Sequence, residues 1–339
     1  MGIIDTIFRT RKSEFTFGPI GAIGPVIRTE KAYLNILLLS CRVVDVRRGL
    51  KKFYGAVHSF TEFDARNSLK PRVQVTSVTT PAQLKSVDAS NLDQVITLTQ
   101  RLLGPVPYRG GDVKLEAGLF SVKEADLAAP FLEVLDDLSS VAGTSVIGAA
   151  LPFAGPLVKA FDLLAGAPDA AQLEIGVSNT MPAGDLRAGT FVVMRAPVGT
   201  VNVSTLRLDP TNRVVGADGK QIQNFPYFVY QISATTQRAD FFRIPELART
   251  HEGIQTAIRQ NRDKEARELL PVFKRFAMTS SDLLLADGAR LAKLVEDEVN
   301  AIVGAPASIR TPKTRAPKKA RAPKARGITP LKDVPLFVK

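Results

Sequence analysis

The sequence predicts an α+β protein whose body is an antiparallel, β-sandwich-like fold, with helices grouped apart from the strands. Two observations lead to this prediction. Between residues 171 and 236, apolar and β-branched residues form short runs parted by turn residues, which is typical of antiparallel sheets. From residue 245 onward, apolar residues recur at helical spacing and charged residues lie between them. We find no internal repeat.

The first part of the body contains the clearest strand patterns. Residues 15–27, FTFGPIGAIGPVI, are rich in Gly and Pro and predict an irregular or edge segment. The apolar run 35–44 predicts a buried strand, and the alternating β-branched run 72–81 predicts another. Residues 91–104, NLDQVITLTQRLLG, space their apolar residues like one helical face and predict a helix that ends at Gly104.

The middle of the chain predicts a helical insertion between strands. A Gly-Gly pair at 110–111 predicts a turn, and the alternating residues from Val113 predict a strand. Residues 124–166 then predict a helical hairpin inserted into the body.

The Asp-Gly pair at 218–219 predicts a β-hairpin with a type I′ turn, which needs positive φ at both central positions. Five strands are expected in this second β-rich part, within 171–179, 189–197, 203–210, 212–222 and 227–236.

The C-terminal part predicts helices and then a tail. Two helical patterns occupy residues 244–273 and 280–303, and Ser281 or Asp282 is the predicted N-cap of the second. Beyond Gly304, Pro and Lys intermix and periodicity disappears, which predicts disorder. The predicted divisions are an irregular N-terminal segment (1–28), a β-rich body (29–245) with the insertion 124–166, a helical extension (246–304) and a disordered basic tail (305–339).

The positive charge of the chain is concentrated in its tail. The whole chain carries a net charge of +12. Residues 310–339 contain ten Lys or Arg and one acid, a net +9, which leaves +3 for the other 309 residues. Expectations about polyanionic partners therefore belong to the tail rather than to the body.

The arm at residues 310–326, RTPKTRAPKKARAPKAR, has the residues that binding to a phosphate backbone requires. Three prolines interrupt it and favour an extended chain, and it contains no aromatic residue that could stack on bases. The pattern predicts salt-dependent binding of a polyanion, chiefly nucleic acid, without sequence specificity. An anionic membrane, an acidic protein or a simple solvated tail are the alternatives. The predicted polyanion-binding residues are Lys313, Arg315, Lys318, Lys319, Arg321, Lys324 and Arg326.

Residues 138–158 form a run of 21 residues without a charged side chain. That length would cross a bilayer, but Pro152 and Pro156 should break a single spanning helix. A helical hairpin packed on the sheet is the favoured interpretation, and a hairpin that inserts into a membrane is the alternative. The strand-rich middle with this apolar hairpin resembles C2-type sandwich modules over residues 30–245, without a diagnostic motif and without residues to transfer.

The sequence contains no catalytic or metal-binding signature. Cys41 is the only cysteine, which excludes an internal disulfide and a zinc site built on several Cys and fits a reducing, cytoplasmic compartment. His58 and His251 belong to no HxH or HExxH pattern. The Gly-rich stretch GPIGAIGP lacks the Lys-Ser/Thr of a phosphate loop. We therefore expect no catalytic residue, no metal and no cofactor.

These observations favour a non-enzymatic binding or assembly protein. The nearly neutral body would supply contacts with a protein partner or a second copy, and the basic arm would engage a polyanion. A membrane-directed effector, with a C2-like body and insertion of residues 138–158, is the main alternative. A hydrolase whose active site is dispersed along the sequence is the second alternative.

Overall fold

Alternating apolar residues build two antiparallel sheets around a shared core, which confirms the predicted α+β class with a sandwich-like body. The protein is described by a computed structural model, which defines residues 14–44, 47–48, 51–64, 72–78, 96–123 and 171–303. The strands of these residues are β1 (Thr16–Ile20), β2 (Tyr33–Arg42), β3 (Arg47–Arg48), β4 (Lys51–Asp64), β5 (Arg72–Val78), β6 (Ile96–Pro107), β7 (Val113–Lys123), β8 (Ala171–Met181), β9 (Gly189–Met194), β10 (Arg207–Leu208), β11 (Val214–Val215) and β12 (Tyr227–Thr235).

The first sheet has the order β1-β9-β12-β2-β6, and the second has the order β3-β4-β7-β8 with β5 also paired to β4. Every pairing is antiparallel. The Gly- and Pro-rich segment near the N-terminus supplies β1, an edge strand of the first sheet, as the sequence predicted. Leu34, Ile36 and Leu38 of β2 share one buried cluster with Leu115 and Leu119 of β7, so the core lies between the sheets.

A smaller cluster covers the other face of the first sheet. Val192 of β9 and Val229 of β12 pack there against Leu206 and Val214, which lie in the long connection between those two strands. Each of these side chains is buried, and full burial of an aliphatic side chain contributes about 1.5–3 kcal/mol. The connection is therefore packed on the sheet rather than free in solvent.

The Asp-Gly pair at 218–219 forms the predicted hairpin with a different turn. Val215 bridges to Gln221, and the Gly216 N–H donates to the Lys220 carbonyl at 2.8 Å. Three residues, 217–219, thus form the loop, and a three-residue loop needs positive φ only at its last position. Gly219 has φ +75° and Asp218 is not among the residues with positive φ, so the type I′ prediction was wrong.

Residues 96–107 form strand β6, and the prediction of a helix over 91–104 was wrong. β6 pairs with β2 along most of its length. Residues 102–107 are all buried, so apolar residues occupy both faces of the strand and the alternation that marks a strand is lost. Gly104, predicted as a helix stop, has φ +92° and lies directly against the carbonyl of Leu34.

Three helices follow the body: α1 (Pro245–Arg259), α2 (Asp263–Thr279) and α3 (Leu285–Val303). They share a second core, to which Leu247, Phe273 and Val295 contribute one side chain from each helix. The Gly288 N–H donates to the Leu284 carbonyl at 2.8 Å, which is the first bond of α3. The predicted N-cap at Ser281 or Asp282 was wrong, because those residues belong to the loop that precedes the helix.

Three predicted segments lie outside the described residues: the helical insertion 124–166, the uncharged run 138–158 within it, and the basic tail 305–339. Within the residues that the structure describes, no helix combines the length and the apolarity that a membrane crossing requires.

Candidate functional site

The predicted polyanion-binding residues all follow α3, whose last residue is Val303. Lys313, Arg315, Lys318, Lys319, Arg321, Lys324 and Arg326 therefore lie outside the described residues. The structure instead defines the body that carries them. Val303 is itself buried in the helical core, and the arm begins at Arg310 in the sequence.

The first turn of α3 is bound to β2 through Tyr33. The Tyr33 hydroxyl donates to Asp287 Oδ2 at 2.8 Å and accepts from the Leu284 N–H at 2.9 Å. Burial raises the pKa of Tyr33 above its ordinary value of 10.0, and the hydrogen bond to the Asp287 carboxylate raises it further. Tyr33 is therefore a neutral donor over the physiological pH range.

Asp287 accepts hydrogen bonds from three different segments. Besides Tyr33, the backbone N–H of Arg238 donates to Oδ2 at 2.9 Å, and Arg290 Nε donates to Oδ1 at 2.7 Å. The residue is only 3% exposed. A buried carboxylate is tolerated only when it is paired and hydrogen-bonded, and these donors meet that requirement.

The Arg238 guanidinium connects strand β6 of the first sheet to the loop that precedes α3. Its side chain is completely buried. Nε donates to Asp240 Oδ1 at 2.8 Å, and Nη1 donates to the carbonyls of Asp282 at 3.1 Å and Pro105 at 3.3 Å. Because Pro105 lies in β6 and Asp282 precedes α3, one side chain joins the sandwich to the helical core.

Arg109 makes a second connection from the loop between β6 and β7. Its Nη2 donates to the Leu283 carbonyl at 2.7 Å, and its Nη1 forms an ion pair with Glu30. We call the set Tyr33, Arg109, Arg238, Asp240, Asp282 and Asp287 the helix–sandwich junction. Its charged groups bind one another, the backbone, or the neighbouring side chains of Glu30 and Arg290, so the junction connects the two cores.

A cavity of about 540 Å³ lies beside the first turn of α1 and the end of α2. Its hydroxyl groups serve the backbone: Thr279 Oγ1 donates to the Arg275 carbonyl at 2.8 Å, and Ser280 Oγ accepts from the Asp282 N–H at 3.2 Å. Neither His nor Cys lines it. The two hydroxyl groups cap backbone groups at the end of α2 and in the loop between α2 and α3.

A smaller cavity of about 330 Å³ is lined by Glu14, Glu174 and Arg195, among others. Arg195 lies between the two carboxylates, 3.7 Å from Glu14 and 3.8 Å from Glu174. Phe225 and Pro226 form part of its wall. One arginine against two carboxylates leaves a net negative charge among these three residues, which does not favour an anionic ligand.

Cys41 and His251 both have packing roles. Cys41 is completely buried, which raises the pKa of its thiol to about 12 and keeps it protonated. The His251 ring packs against Phe241 and Phe273, and its Nε2 lies 3.6 Å from Glu298. In the described part of the chain, no three His, Cys, Asp or Glu side chains come together as metal ligands.

One group of cations was not singled out in the sequence and is brought together by strand pairing. Arg47 lies opposite Lys52, and Arg48 lies opposite Lys51, in the antiparallel pair of β3 and β4. The sequence signal was present as RRGLKK, two basic pairs around two residues that include a Gly. Only the register shows that these four residues lie opposite each other in pairs.

No protein family, curated protein or solved structure matches this chain. A function must therefore be argued from the chemistry of the chain itself. Within the described residues, Arg238 and Asp287 of the junction and Arg195 of the smaller cavity form hydrogen bonds or ion pairs with neighbouring groups. The cations of the arm and of the β3–β4 pair are the remaining groups with a clear ligand chemistry.

Proposed function

We propose that this protein is a non-enzymatic binding protein whose basic C-terminal tail binds nucleic acid without sequence specificity through the arm, residues 310–326. The observation that carries the proposal is the division of charge: a net +9 in 30 residues against +3 in the other 309. The junction is consistent with it, because it binds the first turn of α3, the helix that precedes the arm in the sequence, to the sandwich. The body contributes protein contacts, with a partner or with a second copy.

The mechanism is electrostatic. Each phosphate that a Lys or Arg neutralises releases condensed counterions, so affinity falls steeply as salt rises. The seven cations from Lys313 to Arg326 span 14 residues, which in an extended polyproline conformation reach about 40 Å. That length matches several successive phosphates on a single strand. Without aromatic residues or a folded reading element, the arm discriminates little between base sequences.

The test replaces the seven arm cations with Gln in the full-length protein. Binding to a fluorescent oligo(dT) of about 30 nucleotides is measured by anisotropy across a salt series. We expect the affinity at low salt to fall by about 100-fold or more and the salt slope to fall by about 5, from seven contacts at about 0.7 each. A variant with the same arm residues in scrambled order is the matched control and should bind like the wild type.

The melting temperature is the second measurement. Because the arm contributes no packing in this proposal, the Gln variant should melt within about 1 °C of the wild type. An unchanged affinity in that variant would contradict the proposal. So would a scrambled arm that loses binding, because that result would require sequence-specific contacts.

The membrane-directed alternative is supported by the 21 uncharged residues 138–158 and is separated in the same experiment. Vesicles containing phosphatidylserine are added in place of DNA. Binding to vesicles without binding to DNA would replace the nucleic-acid proposal by the membrane one. Dye leakage that Ile147→Asp abolishes would then identify residues 138–158 as the inserting segment.

A further inference from the structure

The β3–β4 pair concentrates four cations in six residues, 47–52. β3 ends at Arg48 and β4 begins at Lys51, so two residues connect the strands. The register places Arg47 against Lys52 and Arg48 against Lys51. Between Val43 and Thr61 the sequence contains one acidic residue, Asp45. The tip of this hairpin therefore carries a local excess of positive charge.

This arrangement is unfavourable for the protein alone. Like charges directly opposite each other in an antiparallel pair destabilise it, and this hairpin has two such pairs in succession. β3 is only two residues long and lies at the edge of its sheet, so few backbone hydrogen bonds oppose the repulsion. An anion bound at the tip would relieve it.

The hairpin lies at the end of the sandwich remote from the helix–sandwich junction. The far end of β4, at Asp64, is next to Gly111, in the loop that also contains Arg109 of the junction. Lys51 is 13 residues away along β4, which corresponds to about 43 Å. The hairpin and α3 therefore present cations at separate places on the molecule.

We propose that the β3–β4 hairpin is a second polyanion-binding site, which takes the phosphate backbone of a nucleic acid. The choice of ligand rests on the proposed function of the arm, whereas the site itself rests on the register of the two strands. Arg and Lys side chains suit phosphate oxygens, Arg through paired donors and Lys as a point charge. Two sites on one chain raise the effective concentration of each at the bound strand.

The experiment uses the full-length protein in four forms: wild type, a hairpin variant, the arm variant described above, and the two combined. The hairpin variant carries Arg47→Gln, Arg48→Gln, Lys51→Gln and Lys52→Gln. A charge-matched control carries Lys220→Gln, Lys264→Gln, Arg267→Gln and Lys293→Gln, four exposed cations elsewhere on the body. Each form binds the same fluorescent oligo(dT) across the same salt series.

Because neighbouring residues of a strand lie on opposite faces of the sheet, two to four of these cations contact one phosphate backbone. We expect the hairpin variant to lose about 10-fold or more in affinity at low salt and its salt slope to fall by about 1–3, at about 0.7 for each contact. The charge-matched control should change by less than about threefold. The combined variant should lose measurable binding. The melting temperature of the hairpin variant should equal or exceed that of the wild type, because repulsion has been removed. The milder pair Arg47→Gln and Lys52→Gln gives the same direction if the fourfold variant folds poorly.

The outcomes separate this proposal from that of the arm. If the hairpin variant binds like its charge-matched control, the hairpin site is refuted, while the arm proposal stands or falls on its own variant. If the arm variant keeps its affinity and the hairpin variant loses it, the hairpin site stands and the arm proposal fails. Aggregation with unchanged affinity would refute the site in favour of a role for these cations in protecting the sheet edge.

Discussion

Tyr33 and Asp287 lie 254 positions apart in the sequence and share a hydrogen bond of 2.8 Å. The Tyr33 hydroxyl also accepts the Leu284 N–H, so one oxygen serves both as donor and as acceptor at the base of α3. Neither residue belongs to a recognisable motif. The predicted strand 35–44 does not contain Tyr33, and a partner so distant in sequence leaves no local pattern.

At this scale we predict the effect of removing one hydroxyl group. Tyr33→Phe deprives Leu284 of its acceptor and Asp287 of a donor, both in a buried site. The free energy of unfolding should fall by about 2–3 kcal/mol, since buried polar groups are left without partners. Urea unfolding followed by circular dichroism measures the change.

Tyr227→Phe is the matched control for Tyr33→Phe. The Tyr227 hydroxyl is also buried, but it accepts a single longer hydrogen bond, from the Val214 N–H at 3.2 Å. Its loss should lower stability by about 1 kcal/mol. Equal losses for the two variants, or a larger loss for Tyr227→Phe, would show that the junction contributes less than we infer.

At the scale of single elements, β6 shows how packing overrides a local pattern. Its apolar residues occur at spacings that suit a helix, but both faces of its second half are buried. Gly104 allows β6 to approach β2 closely: a Cβ at this position would lie 2.1 Å from the Leu34 carbonyl oxygen. The strand therefore depends on Gly104, the residue that the sequence pattern predicted to end a helix.

We predict that Gly104→Ala destabilises the sandwich more than a glycine replacement in open space. The substitution adds strain at φ +92° and forces β6 away from β2, for a total of roughly 3–5 kcal/mol. Gly199→Ala is the control, with a similar φ of +88° and no heavy atom within 4 Å of the added Cβ. It should lose only about 1–2 kcal/mol. Thermal unfolding of both variants provides the comparison, and equal losses would contradict the close approach.

At the scale of the whole molecule, two cores are joined by a polar junction. The sandwich core lies between the sheets, and the helical core lies among α1, α2 and α3. Tyr33 is a residue of β2 that belongs to the helical core. Around it, Arg238 binds the carbonyls of Pro105 and Asp282, one from each part. We expect the wild type to unfold in one cooperative transition.

Arg238→Met should separate the unfolding of the two cores. Met fills much of the volume, but Asp240, Asp282 and the Pro105 carbonyl lose their buried partner, which typically costs about 3–5 kcal/mol. Differential scanning calorimetry should then show the helical part melting first and the sandwich melting near the wild-type temperature. Arg207→Met, at an exposed arginine, is the control and should change stability by less than about 0.5 kcal/mol. A single transition in Arg238→Met would mean that apolar packing alone couples the cores.

Much of the fold could be predicted from local patterns. Runs of residues close in sequence predicted most of the elements: β2, β5, β7, β8, β9 and β12, the hairpin at 218–219 and the helices after residue 245. The division of charge between body and arm also follows from composition alone, although the role of the arm stays a prediction. These features depend on properties that neighbouring residues carry without reference to the rest of the chain.

Tertiary structure decided the features that depend on residues far apart. It made 96–107 a strand, because burial on both faces removed the alternation that would have identified it. It assembled the junction from Tyr33, Arg109, Arg238 and Asp287, and it placed Arg47 opposite Lys52. The physical reason is common to these cases. Burial of a side chain, and the interaction energy of two charges that face each other across a strand pair or in a buried site, depend on distance in space, which distance along the chain does not determine.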